Sequence, residues 1–353
     1  MKFFTIIRIR EINVCLLLLF GMPLLAQEKV PAPALSLLNL GVHVQDEEGN
    51  SMGGVPITVF FYSGNPEMGS FTLEDTSLSL ENKQVRFAER AFDTYIRLDH
   101  EGFWPTSMEY DWREAVDEKG MPLPEFRKDF TLMLRKIHNP RPLYVHSLDS
   151  IQPLRLYELN QKYGFDLEVG ELVRPYGRGR RADMFFHLTG EVDNETRRFD
   201  VTTTISFPNE GDGILPVPRS MLGESQLLLG QEAPTDGYEP TFDMRVGIIS
   251  DGRFTGRRYF PTMDEQAKWE GLWFRTHTEL DSETGEVISA RHGKIYSHMS
   301  PVILFGFSLE TPRQKMRWEM EFIYFYAPDD SRSLEFNGET LVPNGNLQGV
   351  DKR

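Results

Sequence analysis

Four arginines, Arg174, Arg178, Arg180 and Arg181, fall in or beside the glycine-rich stretch PYGRGRRAD. Guanidinium groups meet carboxylate, sulfate and phosphate oxygens with paired N–H donors, so such a cluster could hold an oxyanion. A phosphate-binding P-loop needs G-x-x-x-x-G-K-[ST] feeding a helix, and that pattern is absent. Two readings stay open. The loop is a hairpin tip, with Gly177 and Gly179 supplying positive φ and the arginines meeting acids of the same chain or solvent. Alternatively, it contacts a sulfated or uronic-acid glycan, or an acidic partner surface.

Other chemistry can be weighed the same way. Gly49-Asn-Ser51-Met-Gly53 matches G-x-S-x-G, but Gly54, Pro56 and a β-branched run follow it. A nucleophile elbow needs a helix there, so Ser51 is read as a turn residue. His292 and His298 are six apart, which is roughly 20 Å along an extended strand and too far for one metal. Oxygen-rich turns at Asp46-Glu47-Glu48, Glu210-Gly211-Asp212-Gly213 and Asp329-Asp330 make calcium the better metal candidate. None has the twelve-residue loop pattern, and acidic turns are ordinary in β proteins, so no cofactor is assigned. Phe103, Trp104, Tyr110 and Trp112 cluster, as do Trp269 and Trp273. Such rings stack on sugar faces or fill cores, and Trp104, beside Pro105 in a turn, is the ring expected to be exposed; with Trp112 it joins the arginines as a candidate ligand residue. Among 53 acidic residues, no carboxylate pair is marked as catalytic.

The elements that would position these residues are strands. Short β-branched and aromatic runs between Gly, Asn and Asp turns recur, and long helical periods are nearly absent. An apolar fraction of 40% can fill cores in a 353-residue chain. At the N-terminus, Lys2, Arg8 and Arg10 precede the apolar run Val14–Ala26, which reads as a cleaved signal peptide over residues 1–26. Thirteen residues interrupted by Pro23 are too short to span a bilayer, which takes about 20. The single cysteine, Cys15, lies in that run, so the mature chain has no disulfide and no thiol nucleophile. Net charge is −15, and the leader removes three basic groups and one acid, leaving −17. A field of that sign opposes nucleic acid and anionic lipid as partners.

After a linker at 27–39, GVHVQDEEGNSMGGVPITVFFYSG reads as strand, turn, strand. Further strands are expected around Thr94–Leu98 and Phe130–Leu134. The order of Val44-x-Asp46-x-x-Gly49, a strand led by Gly54-Val55-Pro56, the Gly102-Phe103-Trp104 turn and a final alternating strand resembles the carboxypeptidase regulatory-like (transthyretin-like) β-sandwich across residues 36–136. That resemblance implies a non-catalytic accessory module and supplies no active-site residue. Residues 137–154, with three prolines, read as an inter-domain passage. The wording GFDL, PYGRGRRAD, SFPNEGDG and LEFN is similar to exported bacterial proteins of unknown function in which such a region follows a regulatory-like module.

The second region, 155–337, is expected to be a larger sandwich, with a jelly roll as one form. Its clearest strand is KMRWEMEFIYFY, with Met316, Trp318, Met320, Phe322, Tyr324 and Tyr326 on one face. Arg219–Gly230 has the composition of a short helix, and TMDEQAKWEGLWF that of one more helical turn. The tail 338–353 is polar and expected to fray. The fold class is therefore all-β, with two β-sandwich domains. The function expected is a secreted or envelope binding or structural protein that contacts glycans. The alternative is a carbohydrate-active enzyme, which would show a pocket with two facing carboxylates.

Overall fold

The computed structural model describes residues 37–62, 73–79, 84–90, 93–110, 117–118, 123–149, 152–193, 198–218, 224–225, 229–248, 269–296, 304–308, 317–347 and 350. Among these the chain is all-β, with no helix. The leader, Trp112 and His298 lie outside them. Among the described residues no helix is long and apolar enough to cross a membrane. Leu35–Arg353 form one compact unit by backbone contacts.

Strands β1 (Leu37–Gln45), β2 (Pro56–Tyr62), β3 (Leu73–Ser79), β4 (Gln84–Arg90), β5 (Asp93–Leu98), β6 (Phe103–Trp104), β7 (Thr106–Tyr110), β8 (Glu125–Met133) and β9 (Arg135–Lys136) come first. β1 lies between β4 and β8, antiparallel to the one and parallel to the other. A second sheet runs β7-β5-β2-β3, and β6 pairs with β9. The period of two along β1 explains the core: Leu38, Leu40, Val42 and Val44 point inward and meet Ile57, Val59, Ile96, Leu98, Leu132 and Leu134. Each such side chain contributes about 1.5–3 kcal/mol on burial. β1 starts at Leu37, inside the expected linker, because Leu38 completes the inward row.

The remaining strands are β10 (Arg141–Leu148), β11 (Leu154–Leu156), β12 (Lys162–Asp166), β13 (Glu171–Leu172), β14 (Met184–Asp193), β15 (Arg198–Ser206), β16 (Gly213–Pro218), β17 (Glu224–Ser225), β18 (Thr241–Ile248), β19 (Trp269–Leu280), β20 (Val287–Tyr296), β21 (Leu304–Ser308), β22 (Arg317–Tyr326) and β23 (Phe336–Thr340). The larger sheet runs β16-β19-β20-β22-β10-β23, with β11 and β21 also on β22. It faces the sheet β13-β12-β14-β15-β18 across a core that includes Phe165, Phe186, Phe274, Phe322 and Tyr324. Trp318, Met320, Phe322, Tyr324 and Tyr326 are buried on one face of β22, as its alternation requires. Ile323 and Phe325 fill a further cluster on the opposite face.

Four expectations are corrected. The proline-containing passage holds β10, which pairs with β22 and β23 and buries Leu143 and Val145. The tail does not fray through its described residues: Val342 and Val350 are buried, and Asn346 donates from its backbone to His146 Nδ1 (3.0 Å) and from Nδ2 to Ser147 O (3.0 Å). Within the expected helix Arg219–Gly230, Glu224 and Ser225 form β17, which pairs with β7. Of the other stretch expected to hold a helical turn, Trp269–Phe274 begin β19, and residues 262–268 lie outside the described residues.

The sheet sets are joined at Glu335, a buried carboxylate. Its oxygens accept from Trp104 Nε1 (3.1 Å), His138 N (3.1 Å) and Asn139 N (2.5 Å). Trp104 is therefore a buried joint residue and not an exposed ring. The indole N–H needs a partner once desolvated, and Glu335 supplies it. Glu47, at the same joint, accepts from Gln231 Nε2 (3.1 Å) and pairs with Arg135 (3.4 Å).

Burial also sets a pH limit. His292 on β20 is buried, with an Nδ1 that has no hydrogen-bond partner among the described residues. Desolvation, then Arg275 and Arg332, push its pKa down to about 4, against a smaller raising effect of Asp330. The native ring thus stays neutral where the unfolded ring takes a proton. Its stability contribution is full above about pH 6.5 and is lost as pH falls through about 4, by about 3 kcal/mol. Denaturant unfolding of the wild type and of His292→Gln across that window is expected to show the wild type losing that much more stability.

Candidate functional site

The arginine loop lies between β13 and β14. Asp166, at the end of β12, organises it. Its buried carboxylate accepts from Glu168 N and Val169 N (both 3.0 Å) through Oδ1, and from Arg180 N (2.8 Å) and Arg181 N (3.3 Å) through Oδ2. Glu171 Oε2 accepts from Arg178 N (3.0 Å). Backbone amides that could cradle an external phosphate are thus already bound to the chain's own carboxylates. Neither Gly177 nor Gly179 has positive φ; that conformation falls on Gly170 (74°). Glycine is needed at 177 for close approach, since a Cβ there would stand 2.3 Å from the Leu172 carbonyl oxygen.

Asp183 bolts the far end of the loop to the larger sheet. Its buried carboxylate accepts from Leu167 N (2.8 Å) and lies 2.6 Å from His277 Nε2. Tyr324 OH donates to Leu167 O at 2.7 Å. Arg291 reaches Glu168 (2.5 Å) and lies 4.2 Å over the Tyr326 ring.

The four loop arginines separate. Arg178 pairs with Glu171 through Nε (2.9 Å) and Nη2. Arg181 lies between Glu168 (3.6 Å) and Asp183 (3.4 Å). The exposed side chains of Arg174 and Arg180 form no ion pair among the described residues. Of the four, Arg178 lines a cleft beside the loop.

That cleft, about 420 Å³, lies between the start of β11, the β12–β13 turn and Pro343-Asn344. His146, Arg155, Tyr157, Glu171, Tyr176 and Arg178 give it its character. Tyr157 is 49% exposed. Its backbone is fixed because Tyr163 OH accepts from Tyr157 N (3.1 Å) and Glu158 N (2.7 Å). Tyr176 packs edge-on against Tyr163, 4.8 Å between centroids. Arg155 is tied to Glu319 through Nε at 3.4 Å. The hydrogen bond from Arg178 holds the Glu171 carboxyl below the usual carboxylate range. Burial pushes the His146 imidazole down, and Asn346 N donates to its Nδ1, so the neutral ring carries its proton on Nε2.

Sequence reasoning missed Arg155, Tyr157 and His146. LRLY reads as an apolar alternation, and nothing local brings it beside Arg178. The calcium turns are committed elsewhere. Asp46 accepts from Asn50 N (2.7 Å), Asp212 from Thr278 N (2.8 Å), and Asp329 from Arg141 (2.5 Å). Ser51 Oγ lies 3.1 Å from His43 Nε2 in an exposed turn between strands, with no helix following it. Trp273 is buried.

No family model matches the chain, and no curated protein matches it. Among solved structures, catechol 1,2-dioxygenase from Acinetobacter sp. ADP1 is similar at 12% identity and TM-score 0.20, over 32% of this chain and 59% of that one. The Corynebacterium diphtheriae major pilin SpaA is similar at 9% identity and TM-score 0.19, over 73% of this chain and 69% of that one. The chain thus spans under two thirds of the dioxygenase, and at these scores the likenesses set neither fold nor function.

Proposed function

We propose that the chain is an exported, non-catalytic binding protein of the cell envelope or extracellular space whose cleft beside the arginine loop takes a glycan. In this reading residues 36–136 are a carboxypeptidase regulatory-like accessory module, and the sheets from β10 onward, with the tail packed on them, carry the ligand. The observation that carries it is Tyr157: a ring 49% exposed, fixed at its backbone, in a cleft that also offers Arg178, Glu171 and His146. A fixed aromatic face beside polar donors and acceptors suits a pyranose ring. The apolar run Val14–Ala26 behind basic residues supports export.

The enzyme reading asks for two facing carboxylates. Among the described residues Glu171 is the single carboxylate in the cleft wall, and Arg178 occupies it. That arrangement favours binding over hydrolysis. Screening immobilised glycans with the wild type and Tyr157→Ala tests the proposal. Retention of a glycan that falls about five- to tenfold in the variant is expected, since a lost stacking contact is worth about 1–1.5 kcal/mol. Retention unchanged by the variant, or none at all, would refute it.

A further inference from the structure

We infer that the cleft selects a glycan bearing an anionic group, a carboxylate or sulfate, held between Arg155 and Arg178. The inference rests on the glycan reading above and names the ligand's charge. Both arginines line the cleft, Arg155 from β11 and Arg178 from the turn after β13. Each is anchored on its Nε side by a glutamate of the same chain, Arg155 by Glu319 and Arg178 by Glu171. A guanidinium fixed along that side still has Nη–H donors to offer, and its fork matches a planar or tetrahedral oxyanion. The side chains are 45% and 80% exposed, so those donors are open to a ligand.

The anchoring matters because an arginine held in place loses less rotamer entropy on binding. The remaining groups suit the sugar. Tyr157 offers a ring face. The His146 ring lines the cleft, and with Nδ1 occupied its remaining polar group is the Nε2–H donor. The chain as a whole is acidic, with net charge −15, so an anion is held by these short-range contacts against the overall field.

Calorimetric titration of the full mature chain tests this with three probes: an oligogalacturonate, the same oligosaccharide with its carboxylates reduced to alcohols, and a polyglutamate peptide. The acidic sugar is expected to bind about tenfold or more tightly than its reduced form, and more weakly at high salt. Arg155→Gln and Arg178→Lys, checked for unchanged thermal unfolding, should each remove most of that preference. Arg155→Gln leaves the Glu171–Arg178 pair untouched, so it separates charge from loop integrity. Equal binding of both sugars, reduced by Tyr157→Ala, would leave the glycan reading standing and remove the anion clamp. Binding of the peptide alone, or of no probe, would overturn both.

Discussion

Asp166→Ala is expected to lower the free energy of unfolding by about 4 kcal/mol, the largest single effect in the sheets of β10 to β23. The carboxylate accepts four backbone amides, two from the β12–β13 turn and two from the arginine loop. Hydrogen bonds to a charged acceptor contribute about 1.5–3 kcal/mol each, and amides left dry by truncation add a desolvation cost. Water entering the loop offsets part of that sum. Asp166→Asn should recover little, because an amide nitrogen would face an amide donor on one side. Denaturant unfolding measures the change. A loss under about 1 kcal/mol would mean that the loop is held by its ion pairs instead.

Glu335→Ala is expected to cost about 3 kcal/mol and to loosen the joint between the two sheet sets. Its carboxylate is buried and takes three donors, among them the Trp104 indole N–H. Removing it strands those donors. Trp104 fluorescence should shift to the red as water reaches the indole, and hydrogen exchange at His138 and Asn139 should quicken. Glu335→Gln keeps one acceptor and should lie between the wild type and alanine. Normal exchange at both amides in the alanine variant would show that the joint is held elsewhere, for instance by β7 with β17.

Strand periodicity was the legible part of the sequence. The alternation from Trp318 to Tyr326 announces a buried strand, and Leu38, Leu40, Val42 and Val44 do the same for β1. β10 was hidden by Pro140 and Pro142, although Leu143 and Val145 carry its inward row. The tail was hidden because its burial comes from Val342 and Val350, eight residues apart with no strand period joining them. Trp104 misled because its partner, Glu335, is 231 residues away. The arginine cluster was visible as composition. Which arginine lines the cleft was not, because that depends on Asp166, Glu171 and Asp183 holding the loop and on Arg155 arriving from β11. Long-range convergence of this kind leaves no local period to read.

An amide-resolved NMR titration with the acidic oligosaccharide tests the cleft most directly as the ligand site. Shift changes are expected to concentrate at His146, Arg155, Tyr157, Glu171 and Arg178, with Arg174 and Arg180 little affected. Changes centred on Arg174 and Arg180, or on the sheets of β1 to β9, would contradict it.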